Sequence, residues 1–238
     1  MVKDDKVWLQ KENGSWKIKN FYSDEVNFVN HSVSITNKIA SGFDLNHYMY
    51  LKETFSPGSS PWEVVFKFKP SSLHTGSLMT KISGAPYYGF RLNLINDGHM
   101  YYIVSDGQYS ATPFEGEGSG SYIVNAWNWV KVEFTGSAYN AYLSTDGVNW
   151  TLDLTVTSST PIYSYTAQTN IGYFPDGSPA CWLQGEMDLL ECYININGYR
   201  FWSPFYEASS DNDWLTGIAI ENIAVSGTGS VKTILPED

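Results

Sequence analysis

Glu186-Met187-Asp188-Leu189-Leu190-Glu191 places three carboxylates within six residues, the densest chemical signal in the chain. Alternation puts Glu186 and Asp188 on one face of a strand, and a bulge would bring Glu191 onto it. Two carboxyl groups about 5–5.5 Å apart across a sugar ring are what a retaining glycosidase uses, as nucleophile and acid/base. The plainer reading makes Asp188 a turn or ladder residue between two solvated acids. It is the preferred one, for a reason that lies in the order of the elements. Histidine chemistry finds no support, because His31, His47, His74 and His99 show neither metal spacing nor a paired Ser or Cys motif.

A second chemistry is binding without reaction. Sugars present apolar C–H faces rimmed by hydroxyls, so a site for them combines exposed aromatic rings with Asn, Asp, Arg or Gln. Strand alternation identifies aromatics that point away from a core. In Trp127–Phe134 the inward set is Val130, Val132 and Phe134, leaving Trp129, Lys131 and Glu133 outward. In Tyr139–Thr145, Asn140 and Tyr142 point outward; in Tyr87–Ile95, Arg91 and Asn93 do; late in the chain, Tyr193 and Asn195 do. A second candidate is the loop Tyr173–Trp182, whose Pro and Gly residues oppose regular pairing while Tyr173, Phe174 and Trp182 resist complete burial. The candidate ligand-binding residues are therefore Trp129, Tyr142, Trp182, Tyr173, Arg91, Asn93 and Tyr193. Trp62, Trp150 and Trp127 read as core.

These residues need strands to hold them, and the chain supplies strands. Trp62, Val64, Phe66 and Phe68 alternate, as do Tyr88, Phe90, Leu92 and Leu94. Asn96-Asp97-Gly98 marks one hairpin, and Asp146-Gly147 joins Tyr139–Thr145 to Val148–Val156 in another. No stretch shows helical periodicity. Short strands between Gly, Ser and Asn turns predict an all-β, two-sheet antiparallel sandwich or jelly roll. Phe114–Ser121, rich in glycine, reads as a flexible loop. The chain reads as one domain over 1–238, with 1–39 and 207–238 as extensions or edge strands.

Composition narrows the partners. The 238 residues include 9 Trp, 17 Tyr and 12 Phe, which no disordered chain carries. Net charge is −11, so a phosphate backbone is repelled and nucleic acid is excluded as a partner. The longest apolar run, Met100–Val104, is far short of a membrane span of roughly 20 residues. The opening residues, with Asp4 and Asp5, lack the apolar core of a signal peptide. Cys181 and Cys192 would lie too far apart along one strand to pair, and read as free buried thiols unless the chain folds back at Gly185.

Glu186–Glu191 is similar to the catalytic strand of glycoside hydrolase family 16. In that family the catalytic strand precedes the Trp-rich strand and its Asp-Gly turn. Here Trp127–Phe134 and Ser144–Gly147 come first, and only 47 residues follow Glu191. Taken in its actual order, the chain resembles the concanavalin A-like lectin/glucanase superfamily, in its laminin-G-like or pentraxin-like branch as found in bacteriophage tail and baseplate modules. The resemblance rests on Ser41-Gly42-Phe43 and Tyr48–Leu51, then on Trp62–Lys69, Gly89–Leu92, Trp127–Phe134 and Tyr142–Trp150. It continues through Asn170-Ile171-Gly172, Gly185–Leu189 and Tyr193–Gly198, and covers about residues 40–203. It implies a carbohydrate-binding module without chemistry, part of a larger extracellular or virion-associated protein, with no membrane insertion. It also implies a structural calcium, sought near Asp188; no other cofactor is indicated. The competing expectations are the glycosidase using Glu186, Asp188 and Glu191, and a tail or adhesin domain that contacts protein.

Overall fold

The computed structural model describes residues 6–12, 15–22, 28–51, 55–83, 88–105, 113–162, 167–175, 181–202, 214–219 and 233–234. The chain divides into two compact units, one of residues 27–205 and one combining 1–26 with 206–238. The smaller unit is a four-stranded antiparallel sheet in the order Ser15–Tyr22, Lys6–Glu12, Trp214–Ala219, Thr233–Ile234.

The larger unit contains two large antiparallel sheets and one two-stranded hairpin, and no helix occurs among the described residues. The seven-stranded sheet runs Phe114–Ser121, His99–Val104, Tyr88–Leu94, Gly76–Ser83, Thr169–Ile171, Tyr48–Leu51, Phe28–His31. The nine-stranded sheet centres on Trp62–Pro70. On one side of it lie Asn128–Phe134, Ala138–Ser144 and Thr151–Thr157; on the other, Gly185–Asp188 and Tyr193–Ile196 share its edge. Each sheet hides one face, as the alternation predicts. Trp62, Val64, Phe66 and Phe68 meet Phe90, Leu92, Leu94, Met100 and Tyr102 in a single core. Aromatic contacts join the layers: Trp62 meets Phe90 edge-on with centroids 5.7 Å apart, and Phe114 stacks on Tyr139 at 5.5 Å. The all-β sandwich expected from the sequence is the observed fold.

Three local expectations change. Phe114–Ser121 is a regular strand, not a loop. Its glycines are there for space. A Cβ on Gly118 would overlap the Asp153 carboxylate, and one on Gly116 would come within 3.2 Å of Leu154. Asp153 reaches that position through a register shift. Ala141 pairs with Leu154 and Tyr142 with Leu152, so Asp153 is the extra residue of a bulge and turns inward. There, only 6% exposed, it accepts hydrogen bonds from the Tyr102 hydroxyl and the Gly120 N–H. Burial, with the Asp153 charge adding to it, raises the Tyr102 phenol well above its ordinary value.

Trp150 is the second change. The hairpin's return strand begins only at Thr151, because Asp146 organises a longer loop. Its carboxylate accepts from the backbone N–H groups of Val148 and Asn149, the Asn149 amide and the Ser144 hydroxyl, contacts that hold it well below the usual carboxylate range. Trp150 is left half-buried, with Lys131 Nζ 5.4 Å from its ring. Trp127, the third, is also half-buried and lies against the ammonium groups of Lys67 and Lys69. Cys192 is a free buried thiol, donating to Asp188 O and raised in pKa by burial; Cys181 is free and half-buried.

The Asp153 clamp gives a stability prediction. Asp153→Ala leaves the buried Tyr102 hydroxyl and Gly120 N–H without their acceptor, and should cost about 2–4 kcal/mol. Gly118→Ala, which pushes a methyl group into the carboxylate, should cost about 1–3 kcal/mol. Urea unfolding measures both; a loss below about 0.5 kcal/mol in either would show that the clamp does not hold the sheet edge.

Candidate functional site

The outer face of the nine-stranded sheet is laid out in cross-strand rows. Asn140, Glu133, Glu63 and Asn195 form one; Tyr142, Lys131, Val65 and Tyr193 form the next; Trp129 and Lys67 begin a third, and Lys69 and Glu186 pair beyond it. Three of the sequence-derived candidates, Trp129, Tyr142 and Tyr193, therefore share one face, together with Asn140 and Asn195. All are half-buried, with rings or amides reachable at the surface.

Charge pairs fix these rings in place. The Lys67 ammonium lies 4.8 Å from the Trp129 ring and 5.0 Å from that of Trp127, and it pairs with Asp188 at 2.9 Å and Glu191 at 2.6 Å. The other Glu191 oxygen accepts the Trp129 indole N–H at 2.8 Å. Burial acts to lower the Lys67 pKa, but the hydrogen bonds and charges of Glu191 and Asp188 outweigh it and leave the ammonium above its ordinary value. Lys131 repeats the arrangement over Tyr142 at 4.5 Å, while Glu133 accepts from the Tyr142 hydroxyl and the Asn140 amide. Lys69 pairs with Glu186 at 3.2 Å.

These pairings bear on both chemistries read from Glu186–Glu191. All three carboxylates do come to one face, with Glu191 brought there by the turn after Asp188. Each is bound to a lysine. A lysine ammonium sits between Asp188 and Glu191, where a glycosidase would need an open path to a sugar carbon. The same ammonium fills the position a calcium would take beside Asp188, so this donor set does not fit the metal there. Asp188 also accepts the Leu190 N–H.

Arg91 and Asn93 lie on the seven-stranded sheet, and Tyr173 and Trp182 on a separate two-stranded hairpin. The short hairpin of Tyr173–Phe174 and Cys181–Trp182 packs over the Gly76–Ser83 strand, with the Thr80 hydroxyl donating to Tyr173 O at 2.8 Å. Arg91 stacks on Phe174 at 4.2 Å. Trp182 packs against the core. Asn93 faces away from the core, as its alternation predicts, yet is only 3% exposed. Of the expected loop, residues 176–180 lie outside the described set. Tyr173 joins a cluster that sequence reading missed: its ring is 4.9 Å from Tyr48, which stacks on His31 at 4.8 Å. The alternation Tyr48-Met49-Tyr50 was the available signal. Lys67, Trp127 and Trp150 were missed on the first face, since only pairing across strands shows what a lysine covers.

At the sandwich edge, a groove of about 340 Å³ opens between the two sheets. Ser121, Asn128, Thr151 and Asn149 line it, with Leu143 and Leu152 as its apolar part. Gly147, in the same loop as Asn149, lies against Trp129: a Cβ there would be 2.9 Å from the indole nitrogen. One loop thus separates the groove from the aromatic face.

No protein-family model and no curated protein matches the chain by sequence. Solved structures do match. Domains LG4-5 of the mouse laminin alpha1 chain align over 82% of this chain and 51% of theirs, at 14% identity and TM-score 0.50. The sandwich of the larger unit shares the fold of these laminin domains. The fold expected from the ordered motifs is thus the fold observed. The exoplasmic/lumenal domain of VIP36 in its Ca2+/Man2-bound form aligns over 77% of this chain and 83% of its own, at 10% identity and TM-score 0.47. The Ruminococcus gnavus IT-sialidase CBM40 bound to alpha2,3 sialyllactose aligns over 55% and 75%, at 13% identity and TM-score 0.44. The chain spans about half the length of the laminin structure it matches.

The Lys67 clamp makes a prediction about this laminin-G-like sandwich. Lys67→Met leaves Asp188 and Glu191 facing each other beside two indoles, and should cost about 2 kcal/mol at pH 7, between the values for exposed and buried pairs. Removing one acid relieves the repulsion, so the deficit should shrink when Lys67→Met is made together with Glu191→Gln. In the unaltered protein the Lys67 contribution is complete at pH 7 and is lost only as pH rises past the free lysine value of 10.5. Urea midpoints at pH 7 for the four proteins of this cycle decide it. An equal deficit with and without Glu191→Gln would mean that packing, not charge, sets the cost.

Proposed function

We propose that the protein is a non-catalytic carbohydrate-binding module whose site is the outer face carrying Trp129, Tyr142 and Trp150. The observation that carries this reading is the preorganised platform itself. Indole and phenol rings are fixed by Lys67, Lys131, Glu133 and Glu191 and are interleaved with Asn140 and Asn195. Rings held this way supply stacking surface with little ordering cost on binding, and the charged neighbours offer donors and acceptors to hydroxyls. A face with this many paired charges is poorly suited to a dry protein–protein contact, whose core is depleted of charge. The laminin-G-like fold is compatible with the reading and does not by itself select it. Attachment of a larger extracellular or virion-borne protein to a glycan is the setting such an activity implies.

The edge groove supports a second location for the same activity. Its volume and its Ser, Thr and Asn lining suit one or two sugar rings.

Affinity electrophoresis against a broad polysaccharide panel tests the reading; failure of every polysaccharide to retard the protein would sink it. Trp129→Ala should weaken binding at least tenfold, about 1.4 kcal/mol, with the melting temperature held within a few degrees. Thr151→Trp, which fills the groove, should leave binding unchanged; the reverse pattern moves the site to the groove. Incubation with β-glucans should release no new reducing ends. Release that Glu191→Gln abolishes would replace this reading with the glycosidase.

A further inference from the structure

At the hairpin end of the seven-stranded sheet, three side chains converge that sequence spacing does not connect. Asp97 sits in the turn before the His99–Val104 strand, His99 opens that strand, and Glu117 lies in the neighbouring Phe114–Ser121 strand. The register between the two strands shifts here. His99 is opposite Ser121 while Tyr101 is opposite Glu117, and this irregularity brings Glu117 toward the turn. One donor atom from each of the three lies within 4.8 Å of the other two.

We infer that Asp97, His99 and Glu117 form a binding site for a divalent transition metal of the zinc type. The imidazole is set up for it. His99 Nδ1 lies 3.0 Å from Gly118 O, and a carbonyl oxygen only accepts, so Nδ1 carries the proton. Nε2 is then the lone-pair nitrogen, held in orientation by a backbone carbonyl as metal-ligating histidines are. The turn is also fixed, since Asp97 Oδ1 accepts the His99 N–H at 3.0 Å and leaves Oδ2 for a ligand. No lysine or arginine pairs with Asp97 or Glu117 among the described residues, in contrast to Glu186, Asp188 and Glu191.

The donor set selects the ion class. Calcium and magnesium take oxygen ligands, whereas one imidazole nitrogen with two carboxylate oxygens suits zinc. Metal–ligand distances of about 2.0–2.2 Å in a tetrahedron require donor atoms about 3.4 Å apart, so the widest pair must close by about an ångström and a half. Asp97 and Glu117 are both exposed and can rotate that far. Three protein ligands leave the remaining position to water or to a donor on another molecule. The bound ion would also tie the hairpin turn to the sheet's edge strand, so it should stabilise the fold. This site shares no residue with the platform or with the groove, and the inference stands independently of the carbohydrate reading.

Titration of the metal-free full chain with zinc chloride, followed calorimetrically and by thermal melting, tests it. The expected result is one zinc per chain, a melting temperature raised by at least about 4 °C at saturation, and no displacement by millimolar calcium. Glu117→Gln and His99→Ala should each weaken zinc binding at least tenfold and abolish the thermal shift. Glu117→Gln alters only an exposed side chain, so it remains informative should His99→Ala fold poorly. His47→Ala, which removes the imidazole paired with Asp44 far from this cluster in sequence, should change nothing. Unaltered zinc affinity in Glu117→Gln, loss of binding in His47→Ala, or no binding below about 100 μM zinc in the unaltered chain would each overturn the proposal.

Discussion

The alternation of the Trp62–Pro70 strand is the constraint on which the rest of the larger unit depends. Its inward residues supply the centre of the core, and its outward residues set the layout of the opposite face. Few strands carry so much, because this one pairs with three others: Asn128–Phe134 on one edge, Gly185–Asp188 and Tyr193–Ile196 on the other. A register slip of one residue would exchange Phe66 for Lys67 and destroy core and platform together. The Lys67 clamp gives the outer face a preferred register of its own, since only one alignment puts its ammonium against Trp129, Asp188 and Glu191. The same interaction therefore serves stability and site geometry.

That clamp also decides what the carboxylates of Glu186–Glu191 face: each is paired with a lysine ammonium. A glycosidase separates the roles of its two acids by placing them in different environments. Asp188 and Glu191 instead share one cation, with side-chain exposures of 14% and 44%. Glu191 orients Trp129, and both acids neutralise Lys67. Tyr142 shows the same economy: burial, followed by its hydrogen bond to Glu133, raises its phenol above the ordinary value and keeps it a neutral donor.

Much of this was legible in the residues. Period-two alternation identified the inward sets of the main strands, and Asn96-Asp97-Gly98 located its hairpin, because both signals are local. The outward placement of Trp129, Tyr142 and Tyr193 followed from the same parity. What could not be read depended on contacts between strands distant in sequence. Asn93 has outward parity yet is buried, whereas Arg91 on the same face stacks on Phe174 of a hairpin some 80 residues later, a relation that no local pattern encodes. Trp150 was assigned to a strand that starts one residue later, because the Asp146 hydrogen bonds lengthen the loop. Asp97, His99 and Glu117 meet through a register irregularity, and spacing rules assume that register is regular.

The glycines of Phe114–Ser121 show how far such non-local demands reach back into sequence. Glycine at alternate positions looks like flexibility when the strand is read alone. In the folded sheet edge, the inward positions 116, 118 and 120 face Leu154 and the Asp153 bulge, which leave no room for a Cβ at Gly118. Of the alternate positions, Glu115 and Glu117 are exposed, while the Ser119 hydroxyl donates to Asp153 O. A buried carboxylate on one sheet thus dictates small residues on the other, and so leaves the opposite face of that strand open to polar side chains. The groove and the Asp97–His99–Glu117 cluster both border this strand. The Asp153 bulge closes the sandwich edge, and in closing it shapes the surface on which further ligands can be held.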